Sequence, residues 1–278
     1  MAKNKLVAPV VKWVGGKRQI IDQITKYVPK TFSTYYEPFL GGGAVLFELQ
    51  PKKFVVNDIN GELINIYEVI KDNVEELIAD LKRHKNEEDY FYQIREIDRD
   101  KEGYKKLTRI QRASRIIFLN KTCYNGLFRV NKAGEFNVPF GNYKNPNIVN
   151  EITLRAVSNY FSKARAAFTC KDFEEVLKGA GKGDFVYLDP PYDPVSDTAS
   201  FTGYDKGGFD RDEQKRLKKA CDQLHEKGIK FLLSNSATDF IKDLYREYRI
   251  EIIQAKRAIN SKADKRGEID EVLVTNIE

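Results

Sequence analysis

Apolar positions recur in two periods along the chain, and the alternation between them predicts the elements. Ile20, Ile21 and Ile24 fall at helical spacing within 17–27, and Pro29 closes that helix before the chain extends through Tyr35-Tyr36-Glu37-Pro38-Phe39. Gly41-Gly42-Gly43 follows, then a short helical stretch over 44–49 and a buried-type strand, Phe54-Val55-Val56, ending at Asn57-Asp58. From Glu62 to about Arg99, and again over 110–119, the pattern is helical and charged. Residues 121–147 mix Asn, Gly, Pro and aromatics in the manner of loops and a hairpin. Strands then return at 167–170, 185–188 and 230–234, with a helix over 211–226. Segments 251–253 and 271–275, joined by a polar, basic loop, predict a terminal antiparallel pair.

This sequence of elements is α/β. It predicts a Rossmann-like sheet built from 1–66 and 163–278, with a mainly helical insertion over 67–162. No repeat and no low-complexity tract interrupts it, and 278 residues suffice for one compact enzyme carrying an insertion.

Composition narrows the classes. Lys and Arg exceed Asp and Glu by 47 to 41, a net charge of +6 that suits a polyanionic partner without requiring one. Cys123, Cys170 and Cys221 are widely separated, so neither a disulfide framework nor a zinc site is expected. His84 and His225 sit in charged, helix-like stretches and read as solvated surface residues, which argues against a Ser-His-Asp hydrolase. With no apolar run near the ~20 residues of a membrane span, the expectation is a soluble, cytoplasmic protein without a metal.

Two motifs carry chemistry. A strand running into Gly41-Gly42-Gly43 needs glycine where the backbone turns tightly and a ligand approaches. Asp58, at the end of the next strand, is spaced to accept hydrogen bonds from ribose hydroxyls. The plainer reading is a tight turn and a surface acid. The run is not GxGxxG, which disfavours a dinucleotide and leaves a nucleoside without phosphate. Upstream, Lys12-Trp13-Val14-Gly15-Gly16-Lys17 offers an aromatic face and ammonium groups; viewed alone, it reads better as a core tryptophan flanked by solvated lysines.

The second motif, Asp189-Pro190-Pro191-Tyr192, follows the strand Phe185-Val186-Tyr187-Leu188. The prolines fix the turn and lack N–H donors, so it presents acceptors, the Asp189 carboxylate and the Pro190 carbonyl. An aromatic amine is a poor nucleophile because its lone pair is delocalised; two acceptors on its hydrogens draw that pair out of the ring, while Tyr192 stacks on the base. Asp-Pro and Pro-Pro are also ordinary loop punctuation. The motif's place after a buried strand and downstream of the glycine turn favours chemistry.

In this order, Lys12 to Lys17, Glu37-Pro38-Phe39-Leu40-Gly41-Gly42-Gly43, Asn57-Asp58, Tyr124-Asn125-Gly126-Leu127, Phe136-Asn137-Val138-Pro139-Phe140-Gly141 and Asp189-Pro190-Pro191-Tyr192 resemble the Dam-type, alpha-group DNA adenine-N6 methyltransferases, restriction-modification members included. The resemblance runs nearly end to end. It implies S-adenosylmethionine as cofactor, yielding S-adenosylhomocysteine, with Trp13, Lys17, Phe39, Gly41, Gly43, Asp58, Asp172 and Asp189 as its contacts. It also implies double-stranded DNA as partner, GATC as the target, and Lys12, Tyr124, Asn125, Leu127, Arg129, Pro139 and Tyr143 as DNA contacts. Arg129 is the expected base-edge reader of a guanine. Many relatives carry arginine where this chain has Asn142, which leaves a contact there in question.

Between Lys101 and Lys132 stand nine basic residues and one acid, Glu102, either a phosphate-facing surface or a solvated helix face. A paired adenine amine must be extruded to react, and the loop from Tyr192 to Gly208 is expected to close over it, with Lys256 to Arg266 on phosphates. Cytosine-N4 methylation uses the same amine chemistry, RNA or protein amines share it, and a non-catalytic DNA-binding module is the rival from another class. Cytosine-C5 methylation fails for want of a Pro-Cys nucleophile. Transfer of one methyl to one base requires only a monomer.

Overall fold

The computed structural model describes residues 3–195, 208–256 and 268–278, without side chains at 255, 256, 268 and 269. In chain order the elements are α1 (Ile21–Lys26), β1 (Tyr35–Glu37), α2 (Ala44–Leu49), β2 (Lys53–Asn57), α3 (Gly61–Asp72), α4 (Val74–Leu81), α5 (Glu88–Glu96), α6 (Lys101–Lys105) and α7 (Arg109–Thr122). Then come α8 (Glu151–Lys163), β3 (Arg165–Thr169), α9 (Phe173–Leu177), β4 (Phe185–Leu188), α10 (Arg211–Glu226), β5 (Lys230–Ser236), α11 (Asp239–Leu244), β6 (Arg249–Lys256) and β7 (Glu268–Thr275). The chain divides into two compact units. The first comprises 1–16, 41–52 and 58–170; the second comprises 17–40, 53–57 and 171–278.

The second unit is a sheet with helices. Its strands run in the order β2-β1-β4-β5-β7-β6; β1 pairs in parallel with β2 and β4, and β4 with β5, whereas β7 is antiparallel to both β5 and β6. The terminal pair is thus antiparallel, as the sequence pattern indicates. Both faces are covered, so β4 is buried at all four positions and reads as a continuous apolar run rather than an alternating one. Tyr36, Val186, Leu188, Leu217, Phe231, Leu233, Val272 and Val274 lie in its core. The chain leaves β1 toward β2 on one side and returns to β4 on the other. Phe39 and Asp189 therefore follow neighbouring parallel strands at a switch point, where open α/β sheets bind ligands.

The first unit is mainly helical. α7 begins with a capping box, Thr108 accepting from the Gln111 N–H and the Gln111 side chain accepting from the Thr108 N–H, and buries Ala113, Ile116, Ile117, Phe118 and Leu119. Phe47, Tyr67, Phe161 and Phe168 form an aromatic cluster, with the Phe161 and Phe168 centroids 5.1 Å apart. The segment 123–141 forms a hairpin-like loop closed by the bridges Cys123–Phe140 and Val130–Phe136.

Three expectations need correction. The helix expected over 17–27 is a 3-10 turn, Lys17–Gln19, followed by α1. His84 is not solvated: its ring stacks on Phe118 at 4.4 Å, with Nδ1 and Nε2 hydrogen-bonded to Tyr90 Oη and Ser114 Oγ. Burial lowers its pKa to about 4. The basic run of 101–132 is in large part internally neutralised. Lys101 pairs with Glu135, Lys105 with Glu102, Arg109 with Glu68, Arg112 with Glu62, and the buried Arg115 with Asp98. The partners lie outside the run, except for Glu102, so a count along the sequence overstates the charge. No described helix is long and apolar enough to cross a membrane.

Candidate active site

In the second unit, β4 delivers Asp189 into a set of charged and polar partners. The Lys17 ammonium lies 2.8 Å from Asp189 Oδ1, and Ser234, on the adjacent β5, donates its hydroxyl to the same oxygen at 3.0 Å. Lys17 is 5% exposed, so it is a buried cation rather than the solvated lysine of the plainer sequence reading. Burial raises the Asp189 pKa above the ordinary carboxylate value, while the Lys17 charge and the hydrogen bonds from Lys17 and Ser234 draw it back. Tyr187 Oη and Ser234 Oγ are 3.0 Å apart, which extends the network into the core.

The Tyr192 ring sits beneath the Lys17 ammonium, 4.6 Å from nitrogen to ring centre, and its hydroxyl donates to Glu271 Oε2 at 2.8 Å. Two acids, Asp189 and Glu271, thus lie near one ammonium, which pairs with Asp189. The turn itself is held rigidly. Gln214 Nε2 donates to the Pro191 carbonyl at 2.8 Å, Asn235 Nδ2 donates to Gln214 Oε1, and Asn235 Oδ1 accepts the Asp193 N–H. Ser236 Oγ donates to the Asp193 carbonyl, and Thr238 Oγ1 and Arg211 Nε donate to its carboxylate. With Pro191 occupied, the Pro190 carbonyl accepts no hydrogen bond among the described residues. Phe39 packs on Phe173 and Phe209, centroids 5.5 and 5.6 Å away. Asp172 caps α9 through the Glu174 N–H and pairs with Arg216.

In the first unit the glycine turn, Asp58 and Trp13 meet. Gly41 N–H donates to Asp58 Oδ2 at 2.9 Å, and Asn60 N–H donates to Asp58 Oδ1 at 2.9 Å, so the carboxylate is fixed against the turn. Tyr67 Oη donates to the Gly41 carbonyl. Gly41 has φ +49°, and a Cβ there would stand 3.0 Å from Trp13 Cδ1. Gly43, at φ +68°, begins α2. Both positions therefore require glycine conformation, and at Gly41 the tryptophan requires the missing Cβ as well. Trp13 stacks on Phe128 at 4.5 Å.

The residues expected at DNA also gather in the first unit. The backbone N–H and carbonyl of Lys12 bond the Asn120 side chain, which also donates to Gly126 O, so Lys12 lies against the 3-10 turn Tyr124–Gly126. Tyr124 N–H donates to Pro139 O, and Asn86 donates to Tyr143 O. Tyr124 and Tyr143 are 56% and 40% exposed. Asn125 and Asn142 have φ of 57° and 52°, a left-handed conformation in which Asn is enriched. Arg129 Nε donates to Asn137 Oδ1 at 2.8 Å, and the main-chain groups of Phe136 are clamped by Asp98 Oδ2 and Arg99 Nη2. Of the expected base-covering loop from Tyr192 to Gly208, residues 196–207 lie outside the described residues, as do 257–266 of the expected phosphate-contacting segment Lys256 to Arg266.

Sequence reading missed Ser234, Glu271, Gln214 and Asp98. Ser234 had a signal, since Ser234-Asn235-Ser236 continues an apolar strand with three small polar residues; the others are unremarkable until the fold pairs them.

Comparison with known proteins identifies the family. The D12 class N6 adenine-specific DNA methyltransferase family model matches residues 13–259. The chain is 43% identical to the Type II methyltransferase M1.LlaDCHI of Lactococcus lactis subsp. cremoris, over 99% of this chain and 98% of the relative. It is 43% identical to the Type II methyltransferase M.MjaIII of Methanocaldococcus jannaschii, covering 97% and 99%, and 33% identical to the DNA adenine methylase of Escherichia coli (strain K12), covering 98% and 95%. The chain therefore belongs to the D12 class of N6 adenine-specific DNA methyltransferases.

Proposed function

We propose that this enzyme methylates adenine N6 within GATC of double-stranded DNA, acting on an extruded base, as a monomer in the cytoplasm. The observation that carries the chemistry is the Asp189 carboxylate, held at the end of β4 by Lys17 and Ser234 beside the Tyr192 ring. S-adenosylmethionine supplies an electrophilic methyl on a sulfonium, and an Asp189 carboxylate suits a cationic cofactor. The proposed cofactor contacts are Trp13, Lys17, Phe39, Gly41, Gly43, Asp58, Asp172 and Asp189, with Asp58 taking the ribose hydroxyls.

Asp189 and the Pro190 carbonyl accept the two amine hydrogens, and Pro190 is the available carbonyl because Gln214 occupies Pro191. This turns the nitrogen lone pair out of the ring. As positive charge develops on the nitrogen, the Asp189 carboxylate stabilises it. Tyr192 stacks on the base and repays part of the extrusion cost of about a few kcal/mol.

Lys12, Tyr124, Asn125, Leu127, Arg129, Pro139 and Tyr143 are the proposed DNA contacts, and 67–162 the target-recognition segment. Arg129 reads a guanine through Nη1 and the second hydrogen of Nη2, since Asn137 accepts from Nε and Nη2. The test is transfer from labelled S-adenosylmethionine to duplexes containing GATC or a scrambled site, followed by digestion and identification of the methylated nucleoside. N6-methyladenine confined to GATC, and lost in Asp189→Ala, is expected. N6-methyladenine in the scrambled duplex rejects the specificity, and N4-methylcytosine rejects the target base.

A further inference from the structure

Glu271 is a half-buried acid to which neither the sequence motifs nor the chemistry above gives a task. It lies in the first half of β7, opposite Ser236 of β5. Because β7 is antiparallel, it enters the sheet at the end where β4 and β5 leave it, so a residue early in this strand reaches the turn after β4. Glu271 Oε2 there accepts the Tyr192 hydroxyl at 2.8 Å. Burial of Glu271 raises its pKa, opposed by the Lys17 charge and by this hydrogen bond. On the same ring, the Lys17 ammonium stands 4.6 Å from the centroid and covers one face. Conjugation keeps a phenol O–H near the ring plane, so a fixed acceptor at the oxygen favours one plane of the ring, and with Lys17 over one face the other is left to the base.

We propose that Glu271 is the positioning residue of Tyr192: by accepting the hydroxyl proton, it fixes the plane in which the ring meets the target base, with Lys17 closing the opposite face. This rests on the reading of Tyr192 as the ring that stacks on the extruded adenine. Stacking is sensitive to plane and offset, so a ring freed to turn loses part of the contact that holds the amine against its two acceptors. In this role Glu271 acts through Tyr192 alone. Its effect must therefore vanish when the hydroxyl it holds is absent.

That condition gives a double-mutant cycle on the full-length enzyme. Single-turnover methyl transfer is measured for wild type, Tyr192→Phe, Glu271→Gln, Glu271→Ala and the two combinations with Tyr192→Phe. Fluorescence of 2-aminopurine at the target position, read in parallel, reports how the extruded base stacks. Glu271→Gln keeps an acceptor for the hydroxyl, and Tyr192→Phe removes the hydroxyl itself, which covers the case in which Glu271→Ala fails to fold. The expected result is a slowing of about tenfold in Tyr192→Phe and in Glu271→Ala, a smaller loss in Glu271→Gln, altered 2-aminopurine emission in the first two, and a double variant no slower than the worse single. Multiplying effects overturn the proposal, as does an unchanged rate in Tyr192→Phe or in Glu271→Ala. Tyr192→Ala separates the two layers: if it transfers methyl at the wild-type rate, the stacking role of Tyr192 falls, and the proposal with it. If it is inactive while the Glu271 variants behave as wild type, only the positioning role falls.

Discussion

Lys17 Nζ and Asp189 Oδ1 are 2.8 Å apart, and the two residues come from separate segments of the second unit, 17–40 and 171–278. The ion pair works against the burial that raises the Asp189 pKa, so the carboxylate stays available as an acceptor.

Replacing Lys17 with Met removes that opposition. The working form of Asp189 is the carboxylate, whose pKa then rises, so activity must disappear at a higher pH than in wild type. The acid limb of the kcat profile is expected to move up by about one to three pH units. An unmoved limb in a variant that still transfers methyl rejects the electrostatic role of Lys17.

Ser234→Ala removes one donor to Asp189 without disturbing the ion pair. The loss of a hydrogen bond to a charged acceptor is worth about 1.5–3 kcal/mol, so kcat is expected to fall roughly 10- to 100-fold. KM for DNA should change little, and steady-state kinetics on one duplex measures both.

Asp98 pairs with the buried Arg115 at 2.9 Å and accepts the Phe136 N–H. Asp98→Ala leaves an uncompensated buried guanidinium, so stability is expected to fall by about 3–5 kcal/mol. Asp98→Asn, which keeps an acceptor, should fall less. Urea unfolding decides, and equal losses in the two variants rule out the charge as the cause.

The pKa of His84 is lowered to about 4 by burial, so the folded state favours the neutral ring. The unfolded chain protonates first as pH falls, near the ordinary value of about 6.5. The stability this residue contributes is therefore whole above that value and is lost progressively as pH drops toward 4. In His84→Gln the unfolding free energy should fall less steeply between pH 6.5 and 4.5. Parallel urea curves for the two proteins across that window would show that His84 does not titrate on unfolding.

Gly41→Ala places a Cβ 3.0 Å from Trp13 Cδ1 at a left-handed φ. A loss of stability of about 1–2 kcal/mol is expected, together with weaker S-adenosylmethionine binding by calorimetry. Gly181, which has nothing within 4 Å of an added Cβ and lies outside the motifs, is the control, and Gly181→Ala should bind the cofactor as wild type does.

Local sequence determined much of this protein. Glycine runs and proline pairs have few conformational uses, and period-two and period-3.6 apolar spacing follows from backbone geometry alone. Hence α2 and α10 match their expected limits, β4 lies where the apolar run lies, and Gly41, Asp58, Asp189 and Tyr192 stood out by spacing. The helices over 151–163, 173–177 and 239–244 did not, because their weak amphipathic signal is completed by the neighbours they pack against.

What remained for tertiary structure was pairing. Whether Lys17 is solvated or buried against Asp189, whether Arg112 and Arg115 face DNA or Glu62 and Asp98, and whether Glu271 is a surface strand residue or the acceptor of Tyr192 all depend on groups far apart in the chain. Side-chain charge and reach are written in the sequence. The partner that sets their energetics is fixed only when the strands take their order, and above all when β7 enters antiparallel and brings its first residues beside the turn that follows β4.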